Sequence, residues 1–295
     1  MTAGPAPAPD PHLAGPAPGG RPPGPDVPAY RVRGSGPALT LALHGLGGSM
    51  ETVRPFLTGV GGTRVVLDLP AHGRTPAPSD PVELTYPGLV AAVDRVLAAV
   101  AAPGVRPRAL GVSLGAGVLL AGLAQRPDRY AQVVLVLPAD LAGTHPPTVQ
   151  AHFAAMARCV QDGDRDGLVG LLTEELPAAL RSHAEATAWV AQRAVEMLAS
   201  DVAWALRLLP AQASVPDPSL LSRVTVPVLL LAAEDDPMHP VGAARRLSQL
   251  LPAARLEVLG PGGLLWAHRR QVHELIAGFL SQPTAAHAGP RRLGP

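Results

Sequence analysis

Short runs of apolar residues alternate along this chain with longer segments whose apolar positions repeat at helical spacing. The runs have the length and the aliphatic character of buried β-strands, and they cover residues 38–43, 64–69, 108–112, 132–137, 226–232 and 255–259. The helical segments cover residues 86–100, 114–125, 241–251 and 264–280. Strands that alternate with helices in this way predict an α/β fold, with a mostly parallel sheet and helices on both of its faces.

The interval between residues 137 and 226 breaks this alternation. It contains four segments with helical spacing, at residues 149–160, 168–175, 183–198 and 202–209. A structureless loop of that length would be unusual in a compact domain. We therefore interpret the interval as a helical insertion, and we expect it to form a lid over the carboxyl edge of the sheet.

The two ends of the chain differ from the middle. Residues 1–26 and 282–295 are rich in Pro and Gly and lack apolar periodicity, so they bury too little apolar surface to offset their chain entropy. The predicted organisation is a disordered arm at 1–26, a core at 27–142 and 223–281, a helical lid at 143–222, and a disordered tail at 282–295.

The composition excludes several classes of function. With 24 basic and 23 acidic residues the net charge is +1, which argues against nucleic acid or an anionic lipid surface as the main partner. All basic residues are Arg, so a phosphate loop that needs Lys is excluded. No Cys and His cluster suggests zinc, and we expect no cofactor.

The single cysteine, Cys159, cannot form an internal disulfide. No apolar run reaches the roughly 18 residues of a membrane span, and the N-terminus lacks the features of a secretory signal. These observations predict a soluble cytoplasmic protein.

The motif with the clearest chemistry is Gly111-Val112-Ser113-Leu114-Gly115, which lies between a predicted strand and a predicted helix. A strand that turns abruptly into a helix holds the central Ser in a strained conformation, and the flanking glycines let the backbone pass closely. The Ser113 hydroxyl would then project at the edge of the sheet, beside the amides of a helix N-terminus.

A second loop, His44-Gly45-Leu46-Gly47-Gly48-Ser49, follows the first predicted strand. This loop, then residues 68–73 (DLPAHG), then the G-x-S-x-G motif occur in an order that resembles the α/β-hydrolase fold family over residues 27–280. The resemblance implies a nucleophile at Ser113, followed in the chain by an acid and a His. It also implies an oxyanion hole formed by the amides of Leu46 and Leu114. The apolar composition of the predicted lid favours a small-molecule substrate, namely a largely uncharged ester, lactone or thioester.

The family places its acid after the strand predicted at 226–232, where the sequence reads Ala-Glu-Asp-Asp-Pro-Met-His-Pro from residue 233. The family's Asp, with Pro four residues later, matches Asp236 and Pro240 best. Asp235 is a poorer match, and Asp140 follows a strand that carries the acid less commonly. We expect Asp236 to face the same cavity as Ser113.

The catalytic His is missing from its expected place, because Gly263 occupies the position that the family pattern assigns to it. His268 is the nearest substitute, although it shares a helical stripe with apolar residues. His273 falls on the polar side of that helix. His239 and His72 are expected in loops at the correct edge of the sheet, but neither holds the family position that bridges Asp and Ser.

This gap leaves three hypotheses open. The chain is an impaired serine hydrolase with a vacancy at Gly263, a hydrolase with a relocated base such as His268, or a non-catalytic member that binds a ligand. The vacancy hypothesis predicts that Gly263→His would raise esterase activity by several orders of magnitude.

Residues 162–167 (DGDRDG) match the first half of a calcium loop. The twelfth position is Thr173 where a calcium loop has a bidentate Glu, and Glu174 comes one residue late. We therefore predict no metal here, but a turn capped by Asp166 ahead of a helix.

Overall fold

The computed structural model describes residues 26–139, 141 and 146–283. In this part of the chain seven strands form one sheet, in the order β1-β3-β2-β4-β5-β6-β7. The strands are β1 (Tyr30–Arg33), β2 (Leu39–Leu43), β3 (Thr63–Leu67), β4 (Arg108–Val112), β5 (Val133–Val136), β6 (Val228–Ala233) and β7 (Ala254–Leu259). Only β1 pairs antiparallel, with β3, and every other neighbouring pair is parallel.

Helices cover both faces of the sheet, which confirms the predicted fold class. The helices are α1 (Met50–Val53), α2 (Tyr86–Val100), α3 (Leu114–Gln125), α4 (Pro147–Asp162), α5 (Arg165–Glu174), α6 (Ala184–Leu198), α7 (Val202–Leu208), α8 (Val241–Leu250) and α9 (Arg269–Ser281). Successive residues of β2 point to opposite faces, so Leu41 and Leu43 join the core beneath α2 and α3 whereas Ala42 joins the core beneath α9.

Helices α4–α7 lie between β5 and β6, and we call these four helices the insertion. Its helices form because each has one apolar stripe. In α6 the buried residues are Ala186, Val190, Ala194 and Met197, a spacing that places them on one helical face. Among the described residues, no helix is long and apolar enough to cross a membrane.

The predicted strands agree with the observed ones to within two residues at each end, but strand β1 was missed. Its sequence, Tyr-Arg-Val-Arg, alternates apolar and polar residues and is only partly buried. It lies at the edge of the sheet, where it pairs with β3 alone. A strand with one partner and little burial has no continuous apolar run to reveal it.

The predicted helix at 264–280 is divided in two. Residues Gly263–Ala267 form a π-helix, in which the Ala267 N–H donates to the Gly262 carbonyl at 3.2 Å. Helix α9 begins only at Arg269, after His268 leaves the helical conformation with φ −112° and ψ 13°. The positive φ of Gly262, 107°, and of Gly263, 73°, produces this wide turn.

The calcium-like segment is a junction between α4 and α5. Gly163, with φ 69°, ends α4, and the side chain of Asp164 caps α5 by accepting from the Gly167 N–H. The predicted cap at Asp166 is therefore wrong by two residues, since Asp166 already lies in the first turn. No group of three or more His, Cys, Asp or Glu side chains in the described ranges is arranged to hold a metal ion.

Some predictions concern residues outside the described ranges. They include nearly all of the predicted arm at 1–26 and tail at 282–295, and the alternative acid Asp140.

Candidate active site

Ser113 occupies the tight turn between β4 and α3. Its backbone has φ 49° and ψ −106°, a conformation that costs a non-Gly residue free energy and persists only where the surroundings enforce it. The flanking glycines make the turn possible. A Cβ added at Gly111 would lie 2.5 Å from the Gly115 carbonyl oxygen, and one added at Gly115 would lie 2.5 Å from the Leu43 carbonyl oxygen. The strained strand-to-helix turn predicted from the sequence is thus present, and Ser113 lines a cavity.

Asp236 follows β6 and organises the turn that contains it. Its Oδ1 atom accepts hydrogen bonds from the backbone N–H groups of Met238 and His239, both at 2.9 Å. The same Oδ1 lies 2.9 Å from Nδ1 of the His239 ring. One carboxylate oxygen therefore holds both the turn and the imidazole that the turn carries.

His239 joins this carboxylate to the serine. Its Nε2 atom lies 2.8 Å from the Ser113 Oγ, and both His239 and Asp236 are largely buried. Because Nδ1 donates to the Asp236 carboxylate, Nε2 is free to accept the Ser113 proton. The expectation that His239 cannot bridge Asp and Ser is wrong, because the turn that begins at Asp236 brings His239, three residues later, back over the serine.

The charge of the Asp236 carboxyl is stabilised by its neighbours. Burial raises the pKa of this group, but the adjacent His239 ring and the two backbone N–H groups outweigh burial, so the net pKa lies below the usual value. Asp236 therefore stays ionised beside His239 and favours the tautomer that leaves Nε2 as an acceptor.

The two positions proposed for the base after β7 do not meet the serine. The His268 Nε2 atom lies 3.0 Å from the Gly260 carbonyl oxygen and 3.1 Å from that of Pro261. Gly263 lines the same cavity as Ser113, but a side chain there has little room, because an added Cβ would lie 3.0 Å from Leu180 Cδ1 and 3.3 Å from Trp266 Cε3. The structure thus replaces His268 with His239 as the imidazole beside Ser113.

Asp235, the poorer match for the acid, points elsewhere. Its Oδ2 atom accepts the Gly262 N–H at 2.7 Å, which ties the turn after β6 to the turn after β7. The expected choice of Asp236 over Asp235 agrees with this geometry.

The loop at residues 44–49 lies beside the serine, as the family order implies. The Gly115 N–H donates to the His44 carbonyl at 3.1 Å, and a Cβ added at Gly45 would lie 3.4 Å from the Ser113 Cβ. Leu46 and Leu114 both line the cavity with Ser113. Leu114 is the first residue of α3, where backbone N–H groups have no helical partner and favour negative charge.

The cavity above Ser113 has a volume of about 230 Å³ and mostly apolar walls. The insertion forms part of these walls. Trp189 of α6 and Trp266 of the π-helix both line the cavity and contact each other edge to face, with ring centroids 5.7 Å apart. The lining also contains Glu175 and Arg193, which form an ion pair at 2.8 Å.

Two buried histidines, His44 and His72, lie next to the site with ring centroids 4.9 Å apart. The Leu69 N–H donates to His44 Nε2 at 3.0 Å, so the proton of this ring is on Nδ1, which donates to the Gly45 carbonyl at 2.8 Å. Burial lowers the pKa of His44 to about 4 and that of His72 to about 3. Both rings are therefore neutral at pH 7.

We expect the free energy of unfolding to fall when the pH is lowered from 7 to 4.5. The unfolded chain protonates these two rings near pH 6.5 whereas the folded protein resists, so stability is complete above pH 6.5 and declines towards the folded pKa values. Two such groups remove on the order of 4 kcal/mol by pH 4.5. Urea unfolding at several pH values measures the slope.

A variant pair tests the origin of that slope. His72→Met should roughly halve it, and His183→Gln, at an exposed position in the insertion, should leave it unchanged. A slope that persists in full in His72→Met would contradict the assignment to this pair.

The sequence analysis did not predict His239 as the base, because the family pattern assigns the base to the position of Gly263. The available signal was the spacing Asp236-Pro237-Met238-His239. An Asp can start a turn by accepting hydrogen bonds from the backbone N–H groups two and three residues later. Such a turn also brings the side chain of the residue three positions later close to the Asp carboxylate.

Comparisons with known proteins agree with this architecture. Residues 41–264 match the family described as alpha/beta hydrolase fold. No curated protein sequence matches the chain.

Several solved structures share the fold. An esterase from Thermogutta terrifontis is 18% identical with a TM-score of 0.72, over 85% of this chain and 92% of that one. An enol-lactonase from Burkholderia xenovorans LB400 is 21% identical with a TM-score of 0.71, over 86% and 96%. An esterase from Exiguobacterium antarcticum is 18% identical with a TM-score of 0.67, over 86% and 95%. The family match and the mostly parallel sheet together show that the chain belongs to the α/β-hydrolase fold family.

Proposed function

We propose that this protein is a serine hydrolase of small, uncharged carboxylic esters, lactones or thioesters, with Ser113 as nucleophile, His239 as base and Asp236 as the acid that orients it. The observation that carries the proposal is the pair of hydrogen bonds made by one imidazole, at 2.8 Å to Ser113 and 2.9 Å to Asp236. Nucleophile, base and orienting group within hydrogen-bond reach are the arrangement that activates a hydroxyl.

The reaction follows from this arrangement. His239 Nε2 takes the proton of Ser113 as the Oγ attacks the substrate carbonyl, and Asp236 stabilises the imidazolium that forms. The backbone N–H groups of Leu46 and Leu114 stabilise the negative oxygen of the tetrahedral intermediate. The imidazolium then protonates the leaving alcohol or thiol, and water activated by the same His239 releases the acid from Ser113.

The base comes from an unusual element for this fold, and the sheet explains how it can reach. Strand β5 lies between β4, which carries Ser113, and β6, which carries the acid and the base. The turn from Asp236 to Pro240 precedes α8. Within it the Asp236 carboxylate holds the His239 ring, and that ring spans the distance to Ser113. The hydrolase is therefore proposed to be active as it stands, and not impaired by Gly263.

The cavity supports the substrate class. Its volume of about 230 Å³ is below the roughly 300–1,000 Å³ typical of ligand pockets, which favours a small substrate. Of its charged lining residues, Glu175 and Arg193 neutralise each other and Asp236 is bonded to His239, so none of the three is left to pair with a charged substrate. We propose that the insertion serves as the lid that completes this cavity. The relatives described as esterases and as an enol-lactonase support the same class.

The alternative hypothesis, a non-catalytic member that binds a ligand, is separated by a labelling experiment. We expect a fluorophosphonate probe to add to the protein once, with the adduct on Ser113 located by peptide mass spectrometry and absent from Ser113→Ala. We also expect p-nitrophenyl acetate or butyrate to be hydrolysed more than about 10-fold faster than the decanoate, since the longer chain exceeds the cavity. A protein that neither reacts with the probe nor hydrolyses these esters or a simple lactone would be a binding member.

A further inference from the structure

One arginine of the insertion makes direct contact with the loop at residues 44–49. Arg193 of α6 donates from Nη2 to the Leu46 carbonyl at 3.0 Å and from Nε to the Gly47 carbonyl at 3.3 Å. The approach is close, because a Cβ added at Gly47 would lie 3.2 Å from Arg193 Nη2 and 3.0 Å from Met197 Cε. Both acceptors belong to the loop beside Ser113 and not to the insertion, so the two bonds join the insertion to this loop.

The loop is held at its two ends, His44 and Ser49, but few other hydrogen bonds fix its centre at residues 45–48. Three of its six residues are glycines, which restrict the backbone least. Within the loop the Gly45 carbonyl accepts from the Gly48 N–H at 2.9 Å and faces His44 Nδ1 at 2.8 Å. The next two carbonyls, those of Leu46 and Gly47, are the ones that Arg193 holds.

These bonds determine where the Leu46 amide points. A trans peptide directs its N–H opposite to its carbonyl, so the Leu46 N–H points away from the Gly45 carbonyl and its donors. The Gly48 N–H, which donates to the Gly45 carbonyl, belongs to the same peptide as the Gly47 carbonyl, to which Arg193 donates. Arg193 therefore keeps the Gly48 N–H in place against the peptide that carries the Leu46 amide.

Arg193 is itself held in place. Its Nη1 atom donates to the Glu175 carboxylate at 2.8 Å, and its guanidinium lies 5.5 Å from the centre of the Trp189 ring. Burial raises the pKa of Glu175, but Arg193 and a hydrogen bond from His152 outweigh burial and lower the net pKa, so the carboxylate remains charged. The side chains of Arg193 and Glu175 are only 12% and 13% exposed.

The same helix makes a second link to the loop. The Ser49 hydroxyl lies 3.1 Å from the Glu196 carboxylate, three residues beyond Arg193 in α6. Residues three apart lie on one face of a helix, so this face of α6 is built against the loop.

We propose that Arg193 is a positioning residue for the oxyanion hole, and that its guanidinium keeps the Leu46 amide aimed at the reacting carbonyl oxygen. The proposal rests on the proposed function. It uses the planar fork of Arg, since Nε, Nη1 and Nη2 each serve a different acceptor, whereas the donors of Lys all stand on one nitrogen and cannot reach three separated acceptors in the same way. On this proposal the oxyanion hole is correctly arranged only when the insertion packs against the loop at residues 44–49.

The first test is kinetic. Arg193→Met should lower kcat for a p-nitrophenyl ester by about 10- to 100-fold with KM changed less than about two-fold, because loss of one oxyanion donor costs about 10²–10³ in kcat. Arg193→Lys should recover little of this loss. The inhibition constant of an aryl boronic acid, which forms a tetrahedral adduct on serine, should rise in parallel with the loss of kcat. A matched control is Arg207→Met, which removes an exposed arginine that joins α7 to Gln161 of α4 and should leave kcat unchanged.

The second test does not depend on activity. In Arg193→Met the amide of Gly48, which donates to the Gly45 carbonyl, should exchange with deuterium at least about 10-fold faster than in the parent protein. If the parent hydrolyses no ester, the proposed function fails, and this exchange still decides whether Arg193 holds the loop. Unchanged exchange, or a rise in KM with kcat preserved, would overturn the proposal, since Arg193 would then only support the insertion or contact the substrate.

Discussion

Replacing His239 with Ala is expected to lower kcat/KM for a small p-nitrophenyl ester by about 10⁶-fold. In a serine hydrolase with an intact triad, loss of the base alone costs about that factor, or roughly 8 kcal/mol of transition-state stabilisation. The residual rate would come from binding and the oxyanion hole. The ring is 17% exposed and is held mainly by Asp236 and Ser113, so the variant should fold, and its melting temperature should be close to that of the parent.

Two controls separate this base from the positions favoured by family order. His268→Ala should change kcat/KM by less than about three-fold, since this ring bonds the carbonyls of Gly260 and Pro261 and does not meet Ser113. Gly263→His should not raise the activity. At φ 73°, with Leu180 and Trp266 in the way, it should instead destabilise the fold by roughly 1–3 kcal/mol. The assignment would be contradicted if His239→Ala kept high activity and the further change His268→Ala in the same chain abolished it.

Replacing Asp236 with Asn is expected to lower kcat by up to roughly 10⁴-fold, the effect of the equivalent change in a serine protease. The Asn oxygen can still accept from the N–H groups of Met238 and His239, so the turn should remain. Because the same oxygen also faces His239 Nδ1, the ring should keep its place. The loss of kcat then comes from the missing charge, which stabilises the imidazolium in the parent protein.

The control is Glu234→Gln, which removes one negative charge from an exposed position on the same turn. If the loss of any negative charge near the site were enough to lower the rate, both variants would lose activity. We expect only Asp236→Asn to do so, with its melting temperature close to that of the parent. Full activity in Asp236→Asn would mean that the charge of Asp236 is not needed for the reaction.

The sheet could be predicted from the sequence because each buried strand carries its own signal. In β2, β5 and β6 every residue is buried, and a strand covered on both faces is almost entirely apolar. The turn at Ser113 was predictable because its two glycines stand two residues either side of the serine in the sequence. Gly111 meets Gly115 within the turn, whereas the contact of Gly115 with Leu43 of β2 is a tertiary one. The edge strand β1 and the division of the last helix lacked such a signal.

The acid followed from local sequence, but the base did not. Asp236 lies where an apolar strand ends, which a one-dimensional pattern can locate. Whether the ring of His239 or that of His268 reaches Ser113 depends on how the turns after β6 and β7 are folded over the sheet. That in turn depends on the Asp235 bond to Gly262 and on the positive φ of Gly263, neither of which is a property of either histidine.

The sequence by itself determined the order of strands and helices, the strained serine and the carboxylate at the end of β6, because each depends on residues adjacent in the chain. Only the tertiary structure decided which imidazole joins them. Hydrogen bonds that span more than a hundred residues, such as those from His239 to Ser113 and from Arg193 to Leu46, form where separate loops meet. The spacing of residues within a single segment does not predict these long-range contacts, since they depend on how the whole sheet and the helices of the insertion pack together.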